Sequence, residues 1–168
     1  MERSKKVVFV SHCLLNQNVR ALTTEKYPGT IKDLMDMLTE AGVGIIQLPC
    51  PQIEINGGLD RKLKQKSAYD NKEYRKFCRD LSSDILNSIQ KYLQKNYKVL
   101  GIIGVEMSST CGVHQVENGS KSSPGKGILF EEIEELMHKK NFQVPIMGVN
   151  LNNMYSSLEK IQTMLKFT

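Results

Sequence analysis

Four short apolar runs rich in valine and isoleucine constrain this chain most: Val7–Val10, Val43–Leu48, Val99–Val105 and Val144–Val149. None alternates apolar with polar residues, so each suits a strand buried on both faces of a parallel sheet. Helical patterns lie between them. Thr30 to Ala41 carries Ile31, Leu34, Met35 and Leu38 on one stripe, and Lys72 to Lys95 carries Tyr74, Phe77, Cys78, Leu81, Ile85 and Ile89. Gly127 to Lys140 follows the same rule, and a last helix is predicted from about Met154 to Phe167. Strand and helix therefore alternate. That order predicts a doubly wound, Rossmann-like α/β sandwich with a mostly parallel four-stranded sheet and helices on both faces.

No repeat or low-complexity linker interrupts the pattern, and 168 residues suit a single domain spanning 1–168. The start is polar and then strand-like, without a signal-peptide core, and no apolar run nears the roughly 20 residues of a membrane span. The expectation is a cytoplasmic protein without a membrane partner. The net charge of +5 gathers at Arg61 to Lys66 and Lys72 to Arg79. These read as solvated faces rather than a nucleic-acid surface, because no aromatic residues interleave for base stacking.

Two irregular stretches remain, Pro51 to Asn71 and Ser108 to Lys126, and each begins beside a cysteine. Cys13, Cys50 and Cys111 each follow a predicted strand within a few residues. In an open parallel sheet such positions share one edge, where ligands bind outside the carboxyl ends of the strands. Turn-formers and small polar residues surround all three: Ser11, His12 and Asn16; Pro49 and Pro51; Ser108, Ser109, Thr110 and Gly112. Cys78 differs. It sits on the apolar stripe of a long helix and reads as a small buried hydrophobe.

Reduced thiols on one edge point to metal or catalysis rather than disulfides. Three thiolates can hold zinc with an open fourth position, or three irons of a four-iron cluster with the fourth iron open. Spacing does not separate the two. A cysteine-phosphatase loop is a rival for His12-Cys13 with Arg20. The spacing here is one residue too long, however, and the loop has no glycine to let its amides wrap an oxyanion.

Around these cysteines the chain resembles the thiouracil desulfidase (TudS-like) family. The resemblance rests on Val-Ser-His-Cys-Leu-Leu at 10–15, Cys-Pro-Gln at 50–52 with Gly-Gly-Leu at 57–59, and Ser-Ser-Thr-Cys-Gly at 108–112. It extends to Tyr69-Asp70, Glu73-Tyr74-Arg75, Gly101–Glu106 and the glycines around Lys126, and so covers nearly the whole chain. It implies a [4Fe-4S] cluster held by Cys13, Cys50 and Cys111, with Cys78 outside the site. It also implies an enzyme that removes sulfur, as sulfide, from a small thiocarbonyl substrate such as a thiolated nucleobase. Many relatives carry a further cysteine where this chain has Val19, followed by an arginine matched by Arg20. Two positions depart from the family pattern. Gln52 stands where glutamate is usual, and Ser109-Thr110 replaces Pro-Ser.

The expected chemistry is hydrolytic desulfuration, with Glu106 as first candidate base and Glu54 as second. Ser11 and Ser108 join Glu106 as candidate catalytic residues. Ser109, His12, Arg20 and Glu54 are candidates for binding substrate. Lys121 to Lys126 lead into a helix N-terminus that could receive an anionic group. His114 and His138 read as structural. A three-cysteine zinc hydrolase and a non-enzymatic cluster or nucleotide sensor are the alternative functions.

Overall fold

The apolar runs become the strands of one sheet in the computed structural model, which describes residues 1–119 and 121–166. They are β1 (Lys6–Ser11), β2 (Gly44–Leu48), β3 (Lys98–Val105) and β6 (Ile146–Val149). Every pairing is parallel, and the order is β2-β1-β3-β6. The chain moves one way from β1 to β2 and the other way from β2 across to β3 and β6, so the winding reverses between β1 and β3. In folds of this kind ligands bind at that switch, outside the carboxyl ends of the strands.

Helices cover both faces. On one side α5 (Lys72–Gln94) packs on β3 and on α6 (Ile128–Lys139); on the other α2 (Lys32–Glu40) packs on β2 and on α7 (Met154–Lys166). Their apolar stripes meet the inner strands, and Val8, Val10, Ile103, Leu34, Leu86, Ile89 and Ile133 are fully buried. Cys78 belongs to this core and has no exposed surface. This is the predicted single-domain, doubly wound α/β sandwich.

Boundaries moved where the backbone demanded it. The last strand starts at Ile146 because Pro145 has no N–H for the ladder. Instead Pro145 accepts the Ile102 N–H at 2.8 Å across Gly101, where a Cβ would lie 2.4 Å from the Pro145 oxygen. The final helix is described to Lys166, and the expected end at Phe167 lies outside the described residues. Neither irregular stretch is wholly loop. The first holds α3 (Pro51–Ile55) and α4 (Lys66–Tyr69). The second holds an antiparallel hairpin of β4 (Gln115–Asn118) and β5 (Lys121–Pro124). No helix among the described residues is long and apolar enough to cross a membrane.

Candidate functional site

Each cysteine is fixed by the way its strand ends. After Ser11 the chain turns at once into α1 (His12–Leu15), which carries Cys13 half-buried above β1. Gln17 donates its side-chain N–H to the Cys13 carbonyl at 2.6 Å. Arg20 reaches the Cys13 sulfur at 3.6 Å through Nη1, while its Nε is held by Thr24. Cys50 caps α3, its carbonyl accepting the Ile53 N–H at 3.2 Å.

Cys111 lies in a tight loop after β3. Its carbonyl accepts the Val105 N–H at 3.1 Å, and its own N–H donates to Ser108 Oγ at 2.9 Å. The same loop caps α6, because Ile128 and Leu129 donate their N–H groups to the carbonyls of Ser109 and Thr110. Those first-turn donors would otherwise be unsatisfied. They are therefore unavailable to the anionic group expected at this helix end, and that expectation is corrected.

Cys13, Cys50 and Cys111 line one pocket, together with Ser11, His12, Arg20 and Ser108. The sulfurs are close enough to feel one another. Burial pushes the Cys50 thiol up, with Cys13 adding to the effect and Arg61 opposing it. Burial pushes the Cys111 thiol well above its ordinary value, repulsion from Cys13 and Cys50 adds, and the Ser11 hydroxyl opposes. Ser11 Oγ is buried and has no hydrogen-bond partner among the described residues. Thiolates so crowded need added positive charge, which a bound metal brings as it displaces their protons. The donor set thus fits a thiolate-bound metal group. Among the described residues no three His, Cys, Asp or Glu side chains close on a single-ion site. Cys78 does not line this pocket, and its thiol is pushed up to about 12 by burial and then by Glu132.

Other expected site residues fall differently. Glu106 does not line this pocket but borders two neighbouring clefts. Its Oε1 accepts the N–H groups of Val113 at 2.7 Å and His114 at 2.8 Å, and its Oε2 meets His114 Nδ1 at 2.9 Å. A carboxylate so engaged holds the cysteine loop, and it lies beside the pocket rather than in its lining. Glu54 is exposed on α3 and also lies outside the pocket. Its charge reaches His12, whose pKa is lowered by burial and raised in part by Glu54. Ser109 does line the pocket, but its hydroxyl donates to the Lys64 carbonyl at 2.9 Å and tethers that loop.

The sequence reading passed over a buried polar chain. Arg61 donates through Nε to Gln52 Oε1 at 2.8 Å, Gln52 donates through Nε2 to Thr110 Oγ1 at 2.7 Å, and Tyr74 shares a 2.6 Å hydrogen bond with Thr110. Arg61 is only 9% exposed, so it is not part of a solvated basic face as expected. The second basic stretch is paired as well, Arg75 bridging Asp70, Glu131 and Glu132. The signal for Arg61 lay in Gly57-Gly58. Both glycines adopt positive φ (99° and 71°), which L side chains rarely do, and the resulting turn folds Arg61 back onto the Gly58 carbonyl.

No family model matches the chain. It is 35% identical over 164 residues to the uncharacterized protein MJ0003 of Methanocaldococcus jannaschii, covering 95% of this chain and 98% of that protein. Among solved structures it is similar to the [4Fe-4S]-dependent thiouracil desulfidase TudS, with a TM-score of 0.52 and 16% identity. That match covers 94% of this chain and 99% of TudS, and at such identity the likeness is one of fold.

Proposed function

The chain belongs to the family of the M. jannaschii protein MJ0003, and we propose that it is a [4Fe-4S]-dependent desulfidase releasing sulfide from a small thiocarbonyl substrate. One observation carries this reading: Cys13, Cys50 and Cys111 converge on a single pocket at the carboxyl edge of the sheet. The fold shared with TudS supports it. A cluster held by three thiolates supplies one iron without a protein ligand, a Lewis-acidic position suited to a soft sulfur donor.

The overall reaction exchanges the thiocarbonyl sulfur for the oxygen of water and gives a carbonyl compound and hydrogen sulfide. This chain's residues bind, orient and move the proton. Arg20 steadies the charge of the Cys13 thiolate, and the buried Ser11 hydroxyl is free to turn its proton toward the Cys111 sulfur; such contacts tune thiolate-bound centres. Ser108, whose oxygen is occupied by the Cys111 N–H, turns its own hydroxyl proton toward the substrate. No carboxylate lines the pocket among the described residues, so an imidazole nitrogen of His12 is the group that takes the proton from water. Glu106 and Ser109 keep the loop and its cysteine in position. Pro49 and Leu63 wall the pocket and limit water.

Anaerobic reconstitution tests the reading. Broad visible absorption with about four irons and four sulfides per chain, followed by sulfide release from 2-thiouracil, 4-thiouracil or a simple thioamide, is the expected result. Tight zinc in place of iron would move the reading to a hydrolase. A loaded cluster without turnover on any thiocarbonyl would make it a sensor.

A further inference from the structure

The geometry points to a substrate that carries a negative charge beside its thiocarbonyl group, a compact thiocarbonyl acid rather than a neutral thioamide; this rests on the desulfidase reading above. The observation is a buried cation without an anion. Arg61 lines the cysteine pocket; it donates to Gln52 Oε1 at 2.8 Å, the Val19 carbonyl at 2.7 Å and the Gly58 carbonyl at 3.2 Å, and the Tyr69 hydroxyl is close enough to feel its charge. All four are neutral. Among the described residues no carboxylate pairs with it or lines the pocket.

A buried guanidinium left without a counter-charge is costly, and proteins keep such groups paired or aimed at a ligand. Three cations line the pocket among the described residues, Arg20, Arg61 and the solvent-exposed Lys64, and the thiolates do not account for the buried Arg61. Arg20 already lies against the Cys13 sulfur, whereas Arg61 makes no hydrogen bond to any sulfur and meets Cys50 only through the longer-range field. The cleft that shares Arg20, Thr24, Leu63 and Met107 with this pocket is bordered by Glu106 and Glu117, and neither lines the pocket itself. Gln52 sharpens the point, because a glutamate there would pair with Arg61 and cancel its charge. As an amide it orients the guanidinium and leaves the charge for whatever enters. Guanidinium suits a carboxylate or phosphate through paired N–H donors.

The test uses cluster-loaded protein and ligand pairs that differ by one acidic group. Orotate against uracil gives binding alone, since neither holds sulfur. The 6-carboxy derivative of 2-thiouracil against 2-thiouracil gives kcat/KM, and 2-thiouridine monophosphate against its nucleoside separates phosphate from carboxylate. The acidic member of a pair should bind roughly tenfold or more tightly, the worth of one charge-assisted contact. The advantage should shrink as salt rises. Gln52→Glu should erase most of it while the neutral ligands keep or improve their affinity. Equal or weaker binding of both acidic classes, or a preference untouched by Gln52→Glu, overturns the inference and leaves Arg61 as a counter-charge to the thiolates. If sulfide is released from neutral compounds alone, this inference fails and the desulfidase reading stands. If nothing is desulfurated, that reading fails, and orotate against uracil still decides this one.

Discussion

The Glu106 carboxylate clasps His114 twice: Oε1 accepts the His114 backbone N–H at 2.8 Å, and Oε2 lies 2.9 Å from the imidazole Nδ1. With the Val113 N–H on the same Oε1, it closes the loop that carries Cys111 back onto the end of β3. The packing is tight on the far side too, since a Cβ at Gly148 would come within 2.5 Å of the carboxyl carbon.

Glu106→Gln keeps one oxygen for both backbone donors and should therefore leave cluster loading close to wild type. Glu106→Ala strands the two N–H groups and should cost about 3–6 kcal/mol, at roughly 1.5–3 kcal/mol for each hydrogen bond to a charged acceptor. Chemical denaturation and iron counts on both variants check this. A fall in turnover of about 10²-fold or more for Glu106→Gln, with iron content unchanged, would restore Glu106 as a base.

The thiols divide three to one. Cys13→Ser, Cys50→Ser and Cys111→Ser should each lose most of the iron bound on anaerobic reconstitution. Cys78→Ser should keep it, because Cys78 lies on the buried face of α5 and does not line the pocket. Iron retained by any of the first three at the wild-type level removes that residue from the ligand set.

The sheet was legible because its central strands β1 and β3 are buried on both faces, and the less buried edge strands β2 and β6 still appear as apolar runs. Once they are ordered, the carboxyl-edge position of Cys13, Cys50 and Cys111 follows from topology. The β4–β5 hairpin was not, since Gln-Val-Glu-Asn and Lys-Ser-Ser-Pro carry one apolar residue between them and rest on hydrogen bonds. Asn118-Gly119, with Gly119 at φ +67°, was its one local signal. Arg61 was obscured by its neighbours: Lys62 and Lys64 are exposed, and a charge run does not reveal that one member turns inward. The surroundings of Glu106 were hidden for a related reason, since two of its three partners are backbone N–H groups that no side-chain pattern records.

Gly127 is the tightest point beneath Cys111. Its φ of −68° suits any residue, but an added Cβ would lie 2.2 Å from the Thr110 carbonyl carbon and 2.5 Å from the Cys111 nitrogen. Those atoms are backbone and cannot swing aside. Gly127→Ala should cost about 1–3 kcal/mol or more and reduce iron loading severalfold. Gly29→Ala, where nothing lies within 4 Å of the new Cβ, should do neither. Denaturation midpoints and iron counts on the pair decide it, and equal behaviour of the two would mean the loop shifts freely.

The last prediction concerns alkaline stability. Burial, with Glu132 adding, raises the Cys78 thiol to about 12 in the folded chain. An unfolded chain exposes it at an ordinary thiol value near ~8.5. The folded state thus holds its proton more tightly. The contribution is fully present below the unfolded value and is lost as pH rises through that value toward about 12. Within this window Cys78 alone steepens the loss of stability by up to ~1.4 kcal/mol per pH unit. Cys50 and Cys111 are raised too, so the wild-type curve is a sum, and the variant is what isolates one thiol. Cys78→Ala in the metal-free chain should be less stable than wild type at pH 7.5, because it removes a fully buried side chain. The gap should narrow or reverse by pH 10.5, where the variant has no thiol left to ionise at this position. Urea denaturation of both chains at the two pH values measures the gap. A gap that stays constant or widens with pH would mean that Cys78 ionises as readily in the folded chain as in the unfolded one.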